Sequence, residues 1–277
     1  MKSFASYRVL AIVVLITTTL ACNEENPTIP TSDVIVRATT LGNVLTGEGG
    51  KTLYFFAADV AGDASCTGNC VTNWPIFYKE NLTLGTGLKA SDFATITRTD
   101  NTKQTTYKGW PLYYYKNDTK AGDVTGENVG NVWMVAKTNY TVMLASRQLV
   151  GNDGKSYTFD TKEGKGNSLF LTDSLGRTLY AFANDKKNKN NYTKADLSNN
   201  ATWPIYETSA TLGEIPSGLN RADFSTSTTN AVGKTQLSYK GWPLYYFGPD
   251  QGVRGATKGV SSPSQAGCLA SSEYDHH

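Results

Sequence analysis

Internal histidine is missing from this 277-residue chain, whose two histidines are the terminal His276 and His277. That absence excludes Ser-His-Asp and Cys-His catalytic arrangements. No D-x-D-x-D-G calcium loop, C-x-x-C-H haem attachment, zincin motif or phosphate-cradling glycine loop occurs either. Long apolar runs are lacking too. The longest, Val9 to Ile16, falls well short of the roughly 20 residues a membrane-spanning helix needs. No block of one charge sign stands anywhere. Cysteine is scarce, at four residues: Cys22, Cys66, Cys70 and Cys268. No catalytic residue, cofactor or metal is therefore expected.

What is present begins with a basic start (Lys2, Arg8), the short apolar run, and Leu20-Ala21-Cys22. This layout reads as a signal peptide over 1–21. It resembles the lipobox of bacterial lipoproteins, in which the cysteine, here Cys22, receives the lipid. Acyl chains contribute about 0.8 kcal/mol per buried CH₂, so such an anchor holds a domain at a membrane without a spanning helix. Residues 22–33 lack periodicity, carry two prolines and read as a flexible tether. Glu24-Glu25 in that tether resembles the export signal of surface lipoproteins, so the expected address is the outer membrane, facing outward or towards the periplasm. Removing 1–21 takes away Lys2 and Arg8 from 26 basic residues, leaving parity with 24 acidic ones. A neutral chain without a basic stripe has no electrostatic footprint for nucleic acid.

An internal duplication organises the rest. Gly50-Lys51-Thr52-Leu53-Tyr54 returns as Gly176-Arg177-Thr178-Leu179-Tyr180, and Trp74-Pro75-Ile76 as Trp203-Pro204-Ile205. Tyr107-Lys108-Gly109-Trp110-Pro111-Leu112-Tyr113-Tyr114 returns unchanged at 239–246. Two homologous units are expected, 34–145 and a diverged 146–270, followed by a tail over 271–277. Aromatic-rich short runs bounded by Gly, Pro, Asn and Asp predict strands throughout. No stretch of ten or more residues shows sustained helical amphipathicity. The fold class is mainly β, with sandwich, barrel and propeller-like packing all open.

Within each unit a Tyr-x4-Asp phrase occurs twice, giving Tyr54/Asp59, Tyr113/Asp118, Tyr180/Asp185 and Tyr245/Asp250. The phrases G-x-T-L-Y-x-F-x-x-D, C-x-G-x-C followed by W-P, K-G-W-P-L-Y-Y-x-x-x-D and G-D-V-x-G-x-x-V-x-x-V-W resemble the bacterial secreted repeat of unknown function. Its members are predicted lipoproteins described by a Tyr-x4-Asp motif. The resemblance implies an exported or lipid-anchored protein and brings no established activity. The second unit departs from it. Asn191-Tyr192-Thr193-Lys194-Ala195 stands where the first has Cys66 to Cys70, and 259–263 lacks the tryptophan of Val132-Trp133-Met134-Val135.

The motif can be read as a strand-end corner, with tyrosine in a half-buried row and aspartate tying the following loop. The functional alternative, a repeated ligand or ion contact, requires the four aspartates to converge. Trp74, Trp110, Trp203 and Trp242, each before a proline, are either core residues or an exposed aromatic platform for sugars or rings. Cys66 and Cys70 are expected to form a disulfide in an oxidising compartment, pinning residues 63–73; redox activity, or copper or zinc with Met134, is the alternative. Cys268 has no obvious partner. Calcium near Asp59/Asp63 or Asp118/Asp123 is a further option. The expectation is a non-catalytic binding or accessory module of the envelope. Its partners would be the membrane and either an outer-membrane complex or a small ligand. A redox or metal-handling protein and a carboxylate-dependent hydrolase are the alternatives.

Overall fold

The unchanged Tyr-Lys-Gly-Trp-Pro phrase folds twice as the same hairpin. Both central residues of each turn have positive φ, 48° and 78° at Lys108-Gly109, 49° and 85° at Lys240-Gly241. That conformation matches the right-handed twist of the flanking strands, and glycine at the second position adopts it without strain. The backbone NH of each turn lysine donates to the carbonyl of Asp92 or Asp223, 2.6 Å in both. This tie explains why an Ala-x-Asp-Phe or Ala-Asp-Phe phrase precedes each hairpin.

The computed structural model describes Met1, residues 32–182 and 184–262, and the backbone of 268–269. The signal peptide, Cys22, Glu24-Glu25 and the His276-His277 pair lie outside the described residues. The first repeat contains β1 (Ile35–Thr39), β2 (Gly42–Thr46), β3 (Tyr54–Phe56), β4 (Phe93–Thr97), β5 (Lys103–Tyr107), β6 (Trp110–Pro111) and β7 (Trp133–Val135), with one short helix, α1 (Asn69–Asn73). The second contains β8 (Met143–Val150), β9 (Ser156–Tyr157), β10 (Asn167–Thr172), β11 (Tyr180–Ala181), β12 (Phe224–Ser225), β13 (Ser238–Tyr239), β14 (Trp242–Tyr245) and β15 (Cys268–Leu269). Small antiparallel sheets result: β1-β2, β3-β7, β4-β5-β6, β10-β8-β9 and β12-β13-β14-β11-β15. The mainly β expectation holds, and none of these sheets closes into a barrel. Among the described residues, no helix is long and apolar enough to cross a membrane.

Equivalent strands make the duplication visible in three dimensions. β1 pairs with β2 as β8 pairs with β10, and β3 pairs with β7 as β11 pairs with β15. The described residues from Ser32 onward form one compact unit. One core cluster draws Leu45, Phe55 and Trp110 from the first repeat together with Leu144, Phe170, Tyr180 and Leu244 from the second. A smaller cluster belongs to the first repeat alone: Val44, Tyr54, Cys66, Trp74, Tyr113, Trp133 and Val135.

Candidate functional site

In each repeat the two motif tyrosines face each other across antiparallel backbone. The Tyr54 and Tyr113 backbones exchange hydrogen bonds of 2.8 and 3.0 Å, and Tyr180 sits opposite Tyr245. Each tyrosine then reaches the aspartate of the other motif, not its own. The hydroxyl of Tyr54 donates to Asp118 and that of Tyr113 to Asp59, both at 2.6 Å. In the second repeat Tyr180 donates to Asp250 at 2.7 Å and Tyr245 to Asp185 at 2.5 Å. The half-buried tyrosine row is corrected here: all four rings have zero exposure.

The second carboxylate oxygen of each aspartate ties the loop that follows it. Asp59 accepts from the NH and hydroxyl of Ser65, and Asp118 from those of Thr125. Asp185 accepts from the NH of Asn191 and Asp250 from that of Lys258. Thus one carboxylate joins a strand, a partner strand and a loop. Burial pushes Asp59 up to about 6, opposed by the hydrogen bonds from Ser65 and Tyr113. Asp185 and Asp250 are raised for the same reason. Burial, reinforced by the facing carboxylates, also moves the phenols of Tyr113, Tyr180 and Tyr245 far above their ordinary value. Such hydroxyls remain donors and are poor nucleophiles.

Two glycines complete the arrangement. Gly126 NH donates to the Tyr54 hydroxyl at 3.2 Å, and Gly259 NH to that of Tyr180 at 3.3 Å. A Cβ on Gly126 would lie 2.8 Å from the Trp74 ring and 2.9 Å from Tyr54; on Gly259, 2.7 Å from Tyr180 and 3.1 Å from Trp203. Both positions therefore need glycine for close approach. Sequence reasoning passed over them because their spacing from the preceding aspartate differs by one residue.

The first repeat adds an aromatic column. Trp74 stacks on Trp133 with centroids 3.7 Å apart and planes 3° from parallel. Tyr115 stacks on the far side of Trp74 at 4.3 Å and Phe56 on the far side of Trp133 at 4.3 Å. The Cys66–Cys70 disulfide forms, leads into α1, and places Cys66 in the same cluster. Beneath it, buried Arg98 donates to the Cys66 carbonyl, to Gln104 Oε1 and, at 3.5 Å, to the Tyr113 hydroxyl. Arg98 and Gln104 carried no sequence signal, since one arginine in a threonine-rich strand looks like a surface residue.

Of the two readings of the Trp-Pro tryptophans, burial favours the core over the aromatic platform. Trp74, Trp110 and Trp203 are 4 %, 1 % and 2 % exposed, and only Trp242 is half-buried. Trp110 and Trp203 pack in the shared core, and Trp74 in the smaller cluster of the first repeat. Among the described residues, no group of three or more His, Cys, Asp or Glu side chains stands together. Asp123 uses one oxygen for the NH groups of Thr119 and Lys120.

The geometry shifts two alignments between the repeats. Ser65 and Asn191 play the same part for Asp59 and Asp185, so Tyr192, not Asn191, takes the place of Cys66. Its ring packs 4.6 Å from Phe182. Val135 faces Tyr54 as Leu269 faces Tyr180, so Cys268-Leu269, not the 259–263 segment, replaces Met134-Val135. The residue ahead of that pair is Gly267, where the first repeat has Trp133.

No curated protein and no solved structure matches the chain. Residues 36–77, 94–137 and 226–261 match a family model described as a secreted repeat of unknown function. Two matches fall in the first repeat and one in the latter part of the second, where the Asp250, Lys258 and Gly259 ties lie. In these three stretches the chain is similar to the secreted repeat of unknown function.

Proposed function

We propose that this protein is a lipid-anchored envelope protein that acts as a non-catalytic binding or accessory module. The observation that carries this reading is the use of the motif side chains: all four tyrosines and all four aspartates are buried and bonded to one another. Groups so occupied are scaffold, and their repetition builds a stiff platform whose outer loops are free to differ. The secreted family description and the Cys22 layout support an outer-membrane address. The test is membrane fractionation followed by capture of partners with the lipidated chain. Cys22→Ala should release the protein from membranes, and the wild-type protein should retain a stoichiometric partner or a bound ligand. Persistent membrane association of Cys22→Ala would overturn the anchor.

One observation favours a second reading, a redox role for Cys66 and Cys70: the disulfide borders the Trp74–Trp133 stack. Thiol titration of the native protein separates the two. A bond that resists mild reductant sinks the redox reading.

A further inference from the structure

A hollow of about 570 Å³ lies between the 147–154 segment and the 253–258 loop, with Ala61 of the first repeat at its edge. Three cations line it, Arg147, Arg254 and Lys258, and no carboxylate does. Each cation is held differently. Arg147 is half-buried, and its side chain makes no hydrogen bond or ion pair with any described residue. Its guanidinium crosses Gly255, where a Cβ would come within 2.7 Å of Nη1 and where φ is +62°. Glycine at 255 therefore leaves room for this arginine.

Arg254 is fixed between the repeats. Its Nη1 donates to the carbonyl of Lys108 at 2.9 Å and to that of Leu175, and its guanidinium lies 5.0 Å from the centre of the Trp110 ring. Gly62, Gly109 and Gly176 pack against it. All its partners are neutral, and its Nε and Nη2 are buried without any. Burial lowers it to about 10, with only weak relief from Asp173, and Asp173 is itself bound to Arg177. Lys258 is exposed and donates to the Pro249 carbonyl at 3.1 Å. Of the neighbouring acids, Asp153 is turned to the Tyr157 hydroxyl and the Lys155 NH, and Asp250 to the Tyr180 hydroxyl and the Lys258 NH.

We propose that this hollow binds an oxyanion, a phosphate or sulfate group, held by Arg147 and Lys258 at its mouth with the fixed charge of Arg254 behind them. A planar guanidinium without a partner among the described residues matches the paired oxygens of such a group. A buried charge with only neutral partners gains most from a nearby counter-charge. The inference rests on the binding-module reading and names its ligand class. The source is either a free phosphorylated or sulfated molecule or a lipid headgroup, since the chemistry is shared.

The test titrates the full chain with inorganic phosphate and with sulfate against chloride at constant ionic strength, read by calorimetry and thermal midpoint. Saturable binding is expected for both oxyanions, weakened about tenfold or more in Arg147→Gln and less in Lys258→Gln. Near-UV circular dichroism without anion establishes that each variant is folded. Phosphatidylglycerol vesicles against phosphatidylcholine vesicles identify the source. Retention on the anionic vesicles alone, lost in Arg147→Gln, points to a headgroup; phosphate binding without retention points to a free ligand. Absence of saturable binding in the wild type, or equal binding in both variants, overturns the proposal. Either result leaves partner capture from membranes to decide the binding-module reading separately.

Discussion

The two repeats share the crossed tyrosine–aspartate exchange and differ in what surrounds it. In the first, the Asp59 end is closed by the Cys66–Cys70 disulfide and by buried Arg98 on Gln104. In the second, the equivalent glutamine, Gln236, accepts from the Asn190 amide at 2.9 Å, which also donates to Thr193. Gln104 and Gln236 themselves donate to equivalent carbonyls, those of Leu112 and Leu244. A neutral amide network thus replaces a charge and a covalent link. The exchange is the mechanical element common to the two halves, and its supports differ between them.

The largest effect should come from the aromatic column. Trp74 lies between two stacked rings, whereas Trp203 stacks on none: Phe247 at 4.4 Å and Phe182 at 6.2 Å are tilted and Tyr180 meets it edge-on. Trp74→Ala should cost about 3–5 kcal/mol and exceed Trp203→Ala by about 1 kcal/mol, read from denaturant midpoints. Equal losses would show that the stack adds nothing beyond burial.

Next come the close approaches at glycine. Gly126→Ala and Gly259→Ala should each destabilise by about 1–3 kcal/mol, because the added methyl meets rings that cannot withdraw. Thermal melts of both variants check this, and a neutral result at either site breaks the equivalence of the two repeats.

Removing a phenol should distinguish the aspartates. Without Tyr113, Asp59 keeps two donors from Ser65; without Tyr245, Asp185 keeps the Asn191 NH. Tyr245→Phe should therefore cost more than Tyr113→Phe, by up to about 1 kcal/mol within losses of roughly 1–3 kcal/mol.

The last comparison is in pH dependence. Folded Asp59 holds its proton up to about pH 6, against an ordinary value of 3.8. Between those values the folded state binds more protons than the unfolded one. Its contribution to stability is thus full at lower pH and lost as pH rises through that window, then level. Relative to Asp59→Asn, the wild type should lose stability from about pH 4 to 6, by at most about 1.4 kcal/mol per pH unit. A parallel pair of profiles would show that Asp59 ionises normally.

Much of the architecture was legible because it is local. The Lys-Gly turn needs two positive φ values, the Asp caps bond loop donors six to eight residues on, and the repeated phrases announce equivalent strands. The register between the repeats was not, since alignment by letters cannot see that Ser65 and Asn191 serve one purpose. Arg98 and Arg254 were invisible for a related reason: each reaches a backbone carbonyl 32 to 146 residues away.

By itself, then, the sequence determined the duplication, the β class, the hairpins and the aspartate-tied corners, all set by backbone preference within a few residues. Tertiary structure alone decided which tyrosine meets which aspartate. In an extended strand, residues five apart point to opposite faces, so neither aspartate can readily serve its own tyrosine. The partner must come from the facing strand, 54 to 70 residues away. The same pairing turns four short phrases into two crossed locks, and the shared core then joins the two locks into one body.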